Sequence, residues 1–226
     1  MNSSQLKIDI VSDIVCPWCA IGYKKLSKAI TQLGNEISFE INWKPYELHP
    51  EIPTEGFDKK EYYKIKFGES SGFDSKSNFI TEEAKKVGLE FNFKKNNKVP
   101  LPNTLLAHRL LWLCRSKDMQ DVMAEALFHA YFADGRDVGN KDELIKISSE
   151  NGLNPKEIKD FFQTNIGHEE VLREENRARE MNIFSVPTYI FNKKYLLVGG
   201  QESDTFKAYI KKVIEVESKN YKPLNA

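Results

Sequence analysis

The sequence predicts an α/β fold: a βαβ unit at the start, a long helical insertion, and a ββα unit at the end. Three observations predict it. Two alternating apolar runs flank a helical stripe within the first 45 residues. Apolar residues at helical spacing then continue for more than a hundred residues. Alternation returns near the end as a hairpin pattern followed by one more helical stripe.

Residues 7–11 form a short β run with Ile8 and Ile10 on one side. The chain then enters Cys16-Pro17-Trp18-Cys19, after which Cys19, Tyr23, Leu26, Ile30 and Leu33 recur three and four residues apart. That is one face of a helix, and Gly34 is placed to end it. Ile37, Phe39, Ile41 and Trp43 alternate with polar residues as a second strand, which a right-handed crossover would lay parallel to the first. HPEIPTEGF is a loop, residues 58–67 and 81–87 are predicted short helices, and KKNNKVPLPN is another loop. TLLAHRLLWLC (104–114) is apolar nearly all round, as a helix buried within a helical cluster would be. Val122, Ala126, His129 and Ala130, flanked by Met123 and Leu127, predict the next helix. Asn154, Pro155 and Glu157 supply an N-cap, an N1 proline and an N3 acid for a later one. TYIFN, a turn around Lys193 and Lys194, and YLLVG read as an antiparallel hairpin; residues 204–216, with Phe206, Ile210, Val213 and Ile214, read as a closing helix. No internal repeat is present.

The 226 residues are enough for a sizeable core without disulfide staples. Thirty-three basic and 33 acidic residues cancel with no long block of either sign, which argues against nucleic acid and anionic membrane as partners. No apolar run approaches the ~18 residues needed to span a bilayer, and MNSSQLKIDIVSD has no basic and apolar leader pattern. The cytoplasm is therefore the expected location. Three cysteines, Cys16, Cys19 and Cys114, are too few for a secreted scaffold. A close pair in a reducing compartment is a redox pair, half a metal site or two small core residues. A tetrahedral zinc site needs four ligands, and Cys114 stands alone with no histidine at ligand spacing, so no metal is expected.

DIVCPWCAIG, WKPYELHPEIP, PNTLLAHRL, AYFADGRDVGN and SVPTYIFNKKYLLVGGQ, in that order, resemble the thioredoxin fold of the DsbA family, and within it the FrnE-like proteins. Those are related to 2-hydroxychromene-2-carboxylate isomerases and kappa-class glutathione transferases. The resemblance runs from about residue 7 to 201. It implies a thioredoxin-like domain made of residues 1–50 and 168–226, with a DsbA-like all-helical insertion at 51–167. It also implies thiol-disulfide exchange with protein or small-molecule disulfides and thiols. No bound cofactor is required, the redox-active disulfide carrying the electrons, and glutathione is a candidate co-substrate.

Pro17 at N1 puts Cys16 at the positive end of its helix, worth about 0.3 to 2 kcal/mol to a negative charge there. Thiolate is the attacking species, so Cys16 is the expected nucleophile. Cys19, one turn later and deeper, is the expected resolving thiol. Pro17-Trp18 adds no positive charge, whereas the strongly oxidising DsbA proteins carry a histidine there, so a less oxidising pair is expected. The resemblance further implies a cis Val186-Pro187 bond packed against the cysteines, with the Val186 backbone free to pair with an extended substrate. Pro17, Trp18, Val186, Pro187 and Thr188 are the candidate substrate-binding residues.

Trp18 either stands exposed beside the sulfur or folds onto the insertion. Asp13 reads as a loop carboxylate bonded to amides or as a proton acceptor for Cys19. His108 and Arg109 read as a core histidine and a surface charge, with Asn103, Thr104 and His108 as an alternative ligand pocket. His129 and Cys114 read as core residues. The alternative function is a glutathione-dependent isomerase or polyketide-tailoring enzyme acting on a small aromatic substrate; in those relatives the Cys16 position is typically serine.

Overall fold

A computed structural model describes residues 4–68 and 73–220. β1 (Ser4–Ser12) leads into α1 (Pro17–Leu33), a short 3-10 turn (Gly34–Glu36) and β2 (Ile37–Pro45). β1 and β2 are parallel, with Ile8 opposite Ile41 and Ile10 opposite Trp43. After the helices that follow, β3 (Thr188–Phe191) lies antiparallel to β1, β4 (Tyr195–Val198) lies antiparallel to β3, and the sheet order is β2-β1-β3-β4. The hairpin turns at Asn192 and Lys193, both in the left-handed region, one residue earlier than the sequence suggests. Two such residues in succession match the right-handed twist of the strands. Asn192 tolerates that conformation and its side-chain oxygen accepts from the Lys7 amide at 3.0 Å, tying the turn to β1.

Between β2 and β3 run α2 (Lys59–Phe67), α3 (Phe73–Lys85), α4 (Phe93–Asn96), α5 (Leu105–Arg115), α6 (Gln120–His129), α7 (Lys141–Glu150), α8 (Pro155–Phe162) and α9 (His168–Glu180). α10 (Ser203–Asn220) packs on α1. Leu6, Ile8 and Ile10 from the sheet, Leu110, Met123 and Phe162 from the helical region, and Phe206 and Ile210 from α10 form one continuous core. Val11 faces the other way, onto Tyr46, Ala178, Ile183 and Ile190 beneath α9. Asn154 caps α8, accepting from the amides of Lys156 and Glu157.

Several helical expectations shift. α3 begins well before residue 81, because Phe73–Lys85 continues one helix where the sequence shows a stripe only near its end. The predicted loop at 94–103 contains the single turn of α4, and Leu101 pairs with Phe57 across it. α7 and α9 carry too few apolar residues to stand out from sequence; Asn140 caps the first by accepting from Asp142 and Glu143. On α6 the buried face is one residue out of phase: Met123, Ala124, Leu127 and Phe128 are buried, whereas Val122 is 51% exposed. His129 therefore lies on the surface, paired with Asp134 at 3.2 Å, rather than in the core. The chain continues into a π turn, Ala130–Asp134, which ends at a left-handed Gly135.

Candidate active site

Cys16 is the N-cap of α1, with extended backbone angles, and Pro17 follows at N1. Its amide donates to the Asp13 carbonyl at 3.1 Å, and its carbonyl accepts from the Cys19 amide at 3.0 Å, which closes the first turn. This turn puts the two sulfurs near each other, and all three cysteines are free thiols. Cys16 is 5% exposed and Cys19 fully buried. The Cys16 thiol donates toward the Val186 carbonyl at 3.7 Å, and the Val186-Pro187 peptide bond is cis. The Pro187 carbonyl is taken by the Gly199 amide at 2.8 Å, and the Thr188 hydroxyl by the Ser185 carbonyl at 2.8 Å. Pro187 and Thr188 thus hold the loop in place, and the Val186 backbone lies against the sulfur.

Trp18 is half-buried and meets Phe79 of α3, ring centroids 6.1 Å apart, so it leans on the helical region. Phe79 itself is exposed, as are Phe184, two residues before Val186, and Val198, paired with Thr188. Tyr63 of α2 is close enough to feel the Cys16 charge: burial first and that sulfur second raise its hydroxyl above its ordinary range.

Helix α1 approaches β3 closely because position 22 is glycine. A β-carbon there would sit 2.4 Å from the Tyr189 hydroxyl and 3.0 Å from the Gly200 Cα. Tyr189 is fully buried against Phe206, and its hydroxyl is held far above its ordinary range by burial first and by the charges of Cys19 and Cys16 next. Burial pushes the Cys19 thiol well up, contact with Cys16 adds to this, and the Ser12 hydroxyl and the Asp13 backbone offset part of it.

Behind the cysteines lies a cluster of buried titratable groups. Asp13 accepts from the Leu48 amide at 2.7 Å and the Val15 amide at 3.4 Å, the bonding expected of a loop carboxylate. It also touches His108 Nε2 at 3.4 Å, a contact too poorly aligned to count as a hydrogen bond. Burial opposes a charge on His108, but Asp13, then Glu175 and Glu47, outweigh it and hold the imidazole above its ordinary value. Burial and the neighbouring Glu175 push Glu47 up to about 7. Glu175 accepts from the Glu47 amide at 3.0 Å and is itself raised, by burial first.

The proposed pocket residues are placed differently from one another. The Asn103 side chain donates to the Ile52 carbonyl and accepts from the Leu105 amide, fixing the entry to α5, while His108 is only 3% exposed. Arg109 is not a surface charge: it is buried, and its guanidinium donates to the carbonyls of Thr164 and Ile166 at 2.6 and 2.9 Å. Cys114 is fully buried in the core, and burial pushes its thiol up to about 12. Among the described residues no group of three or more His, Cys, Asp or Glu could hold a metal ion, and no helix is long and apolar enough to cross a membrane.

Sequence reasoning missed Ser12, Glu47, Glu175 and Tyr189. Nothing in their spacing marks them, because they converge from the end of β1, the chain after β2, α9 and β3.

The sequence profile of the DSBA-like thioredoxin domain matches residues 7–211. The uncharacterized protein YwbO of Bacillus subtilis strain 168 is 27% identical over 205 residues, 90% of this chain and 94% of YwbO. A crystal structure of a probable DsbA oxidoreductase from Streptomyces coelicolor superposes with a TM-score of 0.85 at 22% identity, covering 98% of this chain and 93% of that one. A 2-hydroxychromene-2-carboxylate isomerase superposes with a TM-score of 0.68 at 14% identity, covering 96% and 100%. For both structures the likeness is one of fold.

Proposed function

The chain belongs to the DSBA-like thioredoxin domain family, and on that premise we propose that it is a thiol-disulfide oxidoreductase in which Cys16 attacks and Cys19 resolves. One observation carries the reading: Cys16 is the N-cap residue at the positive end of α1, with its sulfur against the Val186 carbonyl and Cys19 one turn deeper. The helix end favours negative charge on that sulfur. A Cys16 thiolate attacks one sulfur of a substrate disulfide, forming a mixed disulfide and releasing the other sulfur as a thiolate. Cys19 then attacks the Cys16 sulfur, a Cys16–Cys19 disulfide forms, and the second substrate sulfur leaves with its electron pair. The substrate has gained two electrons; run backwards, the same steps oxidise a substrate dithiol.

Substrates are protein or small-molecule disulfides and thiols, with glutathione as a candidate co-substrate. The Val186 backbone pairs with an extended substrate segment, in the manner of an added strand. Pro17 and Trp18 line the approach, with Phe79 behind Trp18. Pro187 and Thr188 hold the loop that presents Val186. Three cysteines are too few for a secreted disulfide scaffold, and the cytoplasm is the location that fits.

Insulin reduction driven by dithiothreitol tests the reading. Wild type accelerates precipitation of the insulin B chain, and Cys16→Ser returns the rate to the uncatalysed background. Undiminished activity in Cys16→Ser would overturn the assignment. Glutathione-dependent turnover of a chromene carboxylate that ignores the loss of Cys19 would establish the isomerase instead.

A further inference from the structure

Cys19 is the group the exchange cycle treats worst. It must change between thiol and sulfur anion while fully buried, where a charge is costly. Something must carry its proton across the packed interior.

Five buried side-chain atoms among the described residues have no hydrogen-bond partner: Ser12 Oγ, Glu47 Oε2, His108 Nε2, Arg115 Nε and Tyr189 Oη. Orphaned buried polar atoms are rare, and each needs an explanation. These five are not scattered. Ser12 lowers the Cys19 thiol and the Cys19 charge raises the Tyr189 hydroxyl, so both lie beside that sulfur. Ser12, His108 and Arg115 line one crevice of about 10 Å³, room for a single water. Glu47 belongs to the Asp13–His108–Glu175 cluster, whose Asp13 lies 3.4 Å from the same His108 Nε2. Arg115 is fixed from two sides, donating to both Glu174 oxygens at 2.8 and 2.9 Å, which leaves its Nε aimed away from that pair.

From this convergence we propose that one water in the crevice bridges Ser12, His108 and Arg115, and that Ser12, this water and His108 form the path by which the Cys19 proton enters and leaves. The proposal rests on the exchange reading. When an incoming thiolate bonds the Cys16 sulfur, the Cys16–Cys19 bond breaks, and Cys19 departs with the electron pair. It takes a proton from the Ser12 hydroxyl, which takes one from the water, which takes one from His108. In the reverse step Cys19 attacks, and the same proton returns to His108. Arg115 holds the water, and its Nε donates without titrating. Tyr189 donates a hydrogen bond to the transient sulfur anion from β3. His108 is faced by Asp13 from the turn after β1, Glu47 from the chain beyond β2, Glu175 with Arg179 behind it from α9, and Arg115 on α5; Lys44 of β2 lines the crevice. Ser12 and His108 are positioning and proton-transfer residues; neither touches substrate.

An aromatic disulfide that releases a coloured nitrothiophenolate separates the two steps. The first release reports attack by Cys16, and the second reports resolution by Cys19. Ser12→Ala and His108→Gln should slow the second release relative to the first by about ten-fold or more, within the usual range for a lost proton-transfer group. Ser12→Thr, which keeps the hydroxyl, should restore the ratio. In the wild-type chain the second release should rise with pH through an inflection above the ordinary histidine range, and His108→Gln should remove it. An unchanged ratio in both variants, or a wild-type second release with no such inflection, overturns the relay while leaving exchange intact. No first release from the wild type overturns both.

Discussion

Glu47 is a carboxyl that the fold keeps protonated close to neutrality, with burial and Glu175 pushing it up to about 7. Its folded pKa is above its unfolded one, so the native state binds the extra proton, and the resulting stability is lost as pH rises toward the folded value. His108 has the same sign: its pKa is raised in the fold, so its contribution is complete below the unfolded value and disappears as pH rises through the folded one. Urea unfolding should therefore show lower stability at about pH 8 than at about pH 5, by on the order of 1 to 3 kcal/mol. Glu47→Gln, which cannot ionise, should flatten much of that slope and raise stability at the alkaline end; a slope unchanged in Glu47→Gln would refute this. At this scale the sequence showed the chemistry only where residues were neighbours in the chain. The placement of Cys16, Pro17 and Cys19 at the start of α1 could be read from their spacing, as could the bond from the Val15 amide to Asp13, but not the shorter one from Leu48. Tyr189 beside Cys19, and Asp13, Glu47 and Glu175 around His108, could not, because they come from segments tens of residues apart. The surface position of His129 and the buried one of Arg109 went unforeseen for a related reason. Each depends on helical phase and on which neighbour covers the residue, and composition shows neither.

Helix α1 is positioned by what it lacks at one residue. Alanine is a better helix former than glycine by about 1 kcal/mol, so Gly22→Ala in an uncovered helix would stabilise. Here the new methyl would meet the Tyr189 hydroxyl at 2.4 Å and the Gly200 backbone at 3.0 Å. Overpacking of that kind costs about 1 to 3 kcal/mol, which outweighs the propensity gain. Gly22→Ala should therefore lower the unfolding midpoint, and adding Tyr189→Phe, which removes the closest atom, should recover part of the loss. A Gly22→Ala protein as stable as wild type would contradict the close approach. The elements easiest to read were those with one strong period: the β1-α1-β2 unit, the hairpin, α5, α8 and α10. Those poorly read were helices such as α7 and α9, whose buried faces are narrow and whose outer faces are highly charged. Such helices are stabilised by docking onto the core rather than by a stripe of their own.

At the scale of the molecule, the sheet and most of the helical region share one large core among the described residues, with smaller clusters around Val11 and around Ile52. That core sorts the three cysteines. Cys16 sits at its edge with a small opening to solvent, while Cys19 and Cys114 are fully enclosed. Burial holds both enclosed thiols up and keeps them out of reach of a reagent in solvent. Apart from the helices noted above, the architecture was readable because the α/β order is set by local periodicity. The common core and the layer of buried acids behind α1 arise from tertiary convergence that a linear pattern does not record. The most direct test of the nucleophile assignment is the rate at which each cysteine of the reduced, native protein is alkylated by iodoacetamide at neutral pH, resolved by peptide mass spectrometry. Cys16 should be modified first, with Cys19 and Cys114 reacting only after unfolding. Cys16 reacting no faster than Cys114 would contradict the account.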